Sequence, residues 1–157
     1  MNGTSERTAL EVRDLRQEHL DEVIRVDALH TGERKPRYWN AVFRDFLDPE
    51  KKAGRVGLAA EQQGRFIGYS LGEVRAFEFG SEPCGWIFAV GVDPQHARSG
   101  VASALLGEAC GRFRKAGVTR VRTMVRRNEV DVLSFFRANG FVGGSFVQLE
   151  KELEEQA

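Results

Sequence analysis

The stretch CGWIFAVGVDPQHARSGVASALL, residues 84–106, constrains this chain more than any other. Its first nine residues are apolar at odd and even positions alike, so a strand built from them has no wet face and belongs inside a sheet. Asp93-Pro94 ends the run, because proline brings no N–H to a ladder. Gly100 then opens a segment with Ala102, Leu105, Leu106, Ala109 and Phe113 at helical spacing. A buried strand running straight into a helix demands a sheet with helices packed on it. The turn between them has chemistry of its own. A helix start carries unpaired N–H groups and a partial positive charge. Gly100 keeps side-chain bulk away, Ser103 adds a hydroxyl, and Arg98 adds a fork suited to phosphate oxygens. Such a turn either relieves strain or holds an anion, and strand–Gly–helix alone leaves both open.

The rest of the chain supplies the other layers. Residues 1–9 are polar and read as a flexible tail, with one domain expected over 10–157. A short strand is expected near 10–13. Helices follow over 18–29, with Leu20, Val23, Ile24 and Ala28 on one face, and from Pro36 to about 48, with Trp39, Val42, Phe43, Phe46 and Leu47 in a stripe. Gln63-Gly64 separates two strand patterns, 56–62 and 65–77, as a hairpin turn does. After the strand over 84–92 come a helix over 100–115, a strand over 118–126, a helix over 129–138 and closing strand structure over 141–153. The fold class is a mixed α/β sheet (α+β in its mixed pairing), ordered β-α-α-β-β-β-α-β-α-β.

Two nucleotide motifs fail against the turn: neither G-x-x-x-x-G-K-[ST] nor G-x-G-x-x-G is present. What VDPQHARSGVASALL resembles is motif A of the GNAT superfamily of N-acetyltransferases, in which a strand leads through V-x-P and [QR]-x-x-G-x-[GA] into an Ala- and Leu-rich helix. Val92, Pro94, Gly100 and Ala102 match it, while Ala97 stands where the family has Gln or Arg. FFRANGF matches a second hallmark, an aromatic, three residues, then G-F, here Phe136 followed by Gly140-Phe141. The element order agrees over nearly the whole length.

That resemblance implies a GNAT-like acyl-CoA N-acyltransferase fold and direct transfer of an acetyl group from acetyl-CoA to a primary amine on a small molecule, a lysine or a protein N-terminus. The pantetheine arm would pair with the backbone of Val90, Gly91 and Val92 like an added strand, Gly91 leaving it room. The pyrophosphate would sit on the amides of Arg98, Ser99, Gly100, Val101, Ala102 and Ser103. Asn128 and Phe136 would flank the thioester. The family often has a Tyr at the position of Phe136 to protonate the leaving thiolate, and phenylalanine cannot do so. Glu73, on a mainly apolar strand face, is the candidate base. Glu33, Arg34 and Lys35 are candidate acceptor contacts, and Asp93 is expected to cap its turn. A homodimer is expected from family habit alone.

Two other functions fit parts of the chain. A non-catalytic acyl-CoA sensor of the same fold agrees with Phe136 and Ala97. GYSLG, residues 68–72, spells the serine-hydrolase string around Ser70, but the residues after it continue as strand where an elbow needs a helix. The 23 basic and 23 acidic side chains balance, which argues against a nucleic-acid coat. The arginines Arg120, Arg122, Arg126 and Arg127 then read as a solvated face. No signal peptide or membrane span is seen, Cys84 and Cys110 read as free thiols, and His19, His30 and His96 match no metal spacing. The expectation is a cytoplasmic protein without metal, nucleic-acid partner or membrane contact.

Overall fold

The computed structural model describes residues 9–156, so nearly all of the expected tail lies outside it. These residues form two compact units that meet in sequence at Met124 and Val125, and each is described by itself.

The first unit runs β1 (Glu11–Asp14), α1 (Leu20–Thr31), α2 (Pro36–Leu47), β2 (Arg55–Gln62), β3 (Arg65–Arg75), β4 (Cys84–Val92), α3 (Val101–Lys115) and β5 (Val121–Arg122). The strands lie in the order β1-β2-β3-β4-β5. The first three pairings are antiparallel and β4–β5 is parallel. The β2–β3 turn has Gln63 and Gly64 both at positive φ, 53° and 73°, the combination that matches the twist of the flanking strands. Proline at the first position of α2 starts a helix at no hydrogen-bond cost.

Alternation along β3 sends Tyr69 and Leu71 to one face, where α1 and α2 cover them with Val23, Ile24, Val26, Trp39, Phe43 and Phe46. Gly68 and Gly72 look to the other face, where α3 packs. A Cβ on Gly85 would lie 2.6 Å from the Phe113 ring, and one on Gly72 would lie 2.9 Å from its Cζ. The two glycines form the slot that lets α3 bury Phe113 completely. Burying a side chain of that size stabilises by about 1.5–3 kcal/mol.

The second unit holds α4 (Val130–Ala138). Phe136 is buried there, with ring centroids 5.1 Å from Phe135 and 5.2 Å from Phe141.

Two sequence expectations need correction. The strand expected over 118–126 is only Val121–Arg122, and past it the Thr123 hydroxyl, not its backbone, bonds the Ile87 carbonyl. The closing strand over 141–153 is absent: residues 141–156 carry neither helix nor strand, and Val142, Val147, Leu149 and Leu153 are each more than three-quarters exposed. A strand exists through its ladder, and apolar alternation without a neighbouring strand does not make one. Among the described residues the order is therefore β-α-α-β-β-β-α-β-α. None of these helices is long and apolar enough to cross a membrane.

Candidate functional site

The site is built around a change inside β4. Leu71 of β3 pairs with Ala89 and Gly72 with Ile87, leaving Phe88 as the extra residue of a β-bulge. Before the bulge, the Gly85 N–H donates to the Arg120 carbonyl (2.9 Å) and the Ile87 carbonyl accepts from Thr123, so odd-numbered residues face β5. After it, the Asp93 N–H donates to the Ile67 carbonyl of β3 (2.8 Å), so odd-numbered residues face β3. Alternation then turns the N–H and C=O groups of Val90 and Val92 away from β3. β5 pairs with β4 only at Gly85 and Trp86, so no strand covers that side of Val90 and Val92 among the described residues. The result is a length of strand edge in a largely apolar strand, open to an added chain.

Gly91 lies within this length, but the room left by its missing side chain is taken. A Cβ there would stand 2.5 Å from Cε1 of Tyr69 and 2.7 Å from its hydroxyl. The expectation that Gly91 makes space for a ligand is corrected to space for a buried tyrosine. Burial, with Asp27 second, pushes the Tyr69 hydroxyl pKa up.

The loop after β4 is held from two directions. The Asp93 carboxylate accepts from the Gln95 N–H (3.0 Å), capping a short 3-10 turn over Pro94–His96 as expected, and it also takes Arg25 Nη2 of α1 (2.9 Å). The Gln95 N–H and then Arg25 hold the Asp93 carboxyl below its ordinary pKa against the opposing effect of burial. One residue back, the Val92 carbonyl accepts from His30 Nε2 (2.7 Å) at the end of α1. Arg98 (φ 62°) and Gly100 (φ 85°) are both left-handed, and the Ser99 hydroxyl between them donates to the His96 carbonyl. For arginine that conformation costs about 1–2 kcal/mol, and strain of this kind collects where a site needs a particular backbone path. The first backbone bond of α3 runs from the Ala104 N–H to the Gly100 carbonyl (3.0 Å), so Val101 and Ala102 enter the helix with N–H groups outside its ladder. Ser99, Gly100 and Ser103 are exposed, and nothing lies within 4 Å of a Cβ built on Gly100. The loop has the donors, the partial charge and the access that an anion requires.

Other candidates sit elsewhere. Glu73 pairs across the sheet with Trp86, on the β5-covered half of β4, and its carboxylate is shared by Arg75 (3.4 Å) and Arg55 (3.9 Å). Lys35 Nζ bonds Asp27 (3.2 Å), which also accepts from Trp39 Nε1 (3.0 Å). Glu33 and Arg34 are exposed in the α1–α2 loop. Ser70 lies in the middle of β3, paired with Leu58 and Val90 and 1% exposed. A serine there has no strand-to-helix elbow and no access, which removes the hydrolase reading. Asn128 and Phe136 belong to the second unit. Glu18, His19 and Glu61 come close enough to suggest a cation site. However, His19 Nδ1 accepts the Arg16 N–H, which puts the ring proton on Nε2, where it bonds Glu61 (2.8 Å).

The sequence reading missed His30, Arg25 and Tyr69. Their partners lie 62, 68 and 22 residues away along the chain, and no local pattern announces contacts of that range.

Comparison with known proteins places the fold and the family. Residues 13–141 match the sequence profile of the acetyltransferase (GNAT) family. Among solved structures, the chain is similar to the aminoglycoside N-acetyltransferase AAC(6')-Iy in complex with CoA, at 14% identity and a TM-score of 0.80, covering 94% of this chain and 97% of that one. It is similar to the aminoglycoside antibiotic 6'-N-acetyltransferase AAC(6')-Ih from Acinetobacter baumannii, at 15% identity and a TM-score of 0.75, covering 93% and 100%. It is similar as well to a transcriptional regulator from Bacillus halodurans C-125, at 15% identity and a TM-score of 0.75, covering 92% and 100%. These likenesses show the fold. The family match covers most of the length, and the chain belongs to the GNAT family of acetyltransferases, whose cosubstrate is acetyl-CoA.

Proposed function

We propose that this protein moves an acetyl group from acetyl-CoA to a primary amine, with the open edge of β4 as the guide for the pantetheine arm. The observation that carries the reading is the continuity of that edge with the α3 loop. An arm paired to Val90 and Val92, with the Gly91 backbone between them turned to β3, leads directly to the amides of Arg98, Ser99, Gly100, Val101, Ala102 and Ser103, where the pyrophosphate sits.

The chemistry follows from that placement. The acceptor ammonium must lose a proton before its nitrogen attacks the thioester carbonyl. A Val90 or Val92 N–H pointing off the open edge stabilises the oxyanion that develops. The C–S bond then breaks, the acylated nitrogen gives up its second proton to water, and water passes a proton to the thiolate, because Phe136 has none to give. Glu73 is the proposed proton acceptor. Its ion pairs with Arg75 and Arg55 must open for that role. The part given to Phe136 follows the FFRANGF motif, and that given to Asn128 follows the family resemblance.

The test is acetyl-CoA titration followed by thiol release with a panel of aminoglycosides, polyamines, a lysine peptide and a peptide with a free N-terminus. The reading predicts saturable binding and release with at least one amine. Absence of binding at millimolar acetyl-CoA overturns it. Binding without release on any amine favours the sensor reading, which the missing hydroxyl at Phe136 supports. For Glu73→Gln, a base role predicts a fall in kcat of about a hundredfold or more with acetyl-CoA affinity kept. An unchanged kcat assigns proton removal to water.

A further inference from the structure

We infer that His30 competes with the pantetheine arm for the Val92 carbonyl and so sets how tightly the cosubstrate binds, an inference that rests on the reading of the open edge just given. A carbonyl only accepts, so the 2.7 Å contact requires the proton on His30 Nε2, and the ring donates. The Val92 carbonyl is one of the outward acceptors on the uncovered length of β4. An arm adding there as a strand needs such acceptors for its amide N–H groups. In the free protein His30 already fills the place.

Three features make this an exchangeable bond rather than a fixed part of the frame. His30 is exposed in the last turn of α1, so its ring is able to swing into water. α1 is held independently by Val23, Ile24 and Val26 in the core. Arg25 pins the same end of β4 through Asp93, so release of His30 leaves the loop anchored. When the arm arrives it gains at Val92 only the difference between its own N–H and the imidazole N–H. His30 also protects an otherwise bare strand edge while the site is empty.

The test compares wild type, His30→Ala and His30→Gln by calorimetric titration with CoA and with adenosine 3′,5′-bisphosphate, which carries phosphates but no arm. The inference predicts that His30→Ala binds CoA about three- to tenfold more tightly, the range expected for one net hydrogen bond. His30→Gln, which keeps a donor, returns toward wild type, and the nucleotide binds all three alike. Equal or weaker CoA binding by His30→Ala overturns the inference, as does an equal gain for the nucleotide. Failure of wild type to bind CoA at all overturns the acetyl-CoA reading itself, and the role of His30 with it.

Discussion

From Cys84 to Ile87, β4 is held along both edges, by β3 on one side and by residues 120–123 on the other. From Ala89 to Val92, among the described residues, only β3 pairs with it as a strand, and His30 bonds the Val92 carbonyl on the other side. The two halves are made of the same kinds of residue, so composition does not separate them. What separates them is the accounting of backbone polar groups, which need partners wherever water is scarce. The first half has protein partners and is framework. The second half ends in an edge that one imidazole partly covers, and it leads into a loop with exposed donors. One extra residue, Phe88, makes the change by switching which residues face outward. Framework and site are thus neighbours on one strand, and substitutions are expected to divide between them.

The largest effect belongs to the framework half. Phe113→Ala empties the slot between Gly72 and Gly85 and is expected to cost about 3–5 kcal/mol. Denaturant unfolding measures it, and a cost under 1 kcal/mol would mean that the slot does not hold α3. Next comes Gly100→Glu in the loop. The space there is open but the backbone is left-handed, so a glutamate costs about 1–2 kcal/mol of strain and the fold should persist, while a carboxylate at the helix start repels phosphate. CoA affinity should fall about a hundredfold or more, and undiminished affinity would break the division between the halves.

A smaller effect joins the loop to pH. The Asp93 carboxyl is held below its ordinary pKa, so its contribution to stability is present above the unfolded value, near 3.8, and is lost as pH falls through the lower folded value. Asp93→Asn should therefore lower the melting temperature at pH 7 and narrow the gap to wild type in acid. A gap constant from pH 7 to pH 3 would refute the account of that carboxylate. The smallest effect is at Arg98. Arg98→Gly relieves a left-handed arginine and should stabilise by about 1 kcal/mol or less. It should also weaken CoA binding a few-fold through loss of the guanidinium, read by paired melting and titration.

Much of this frame was legible in the residues. Apolar stripes placed α1, α2 and α3 to within a few positions, α4 was expected over 129–138 and runs Val130–Ala138, and the both-face apolar run placed β4 at Cys84–Val92. The loop was legible because Pro94 and Gly100 act locally. The bulge at Phe88 was not, since it exists only in the register between β3 and β4. Gly91 was read as room for a ligand, because nothing nearby in sequence shows Tyr69 filling that room. His30 looked like an isolated histidine, and its partner is 62 residues distant. The expected closing strand shows the opposite failure, where a good local pattern lacks the neighbour that would make it a strand.

Backbone amide hydrogen exchange with and without saturating CoA tests the division of β4 most directly. The account predicts new protection at Val90 and Val92 and through residues 98–103, with Gly85, Trp86 and Ile87 unchanged. Protection that appears on the first half instead, or at neither half while CoA is demonstrably bound, would contradict it.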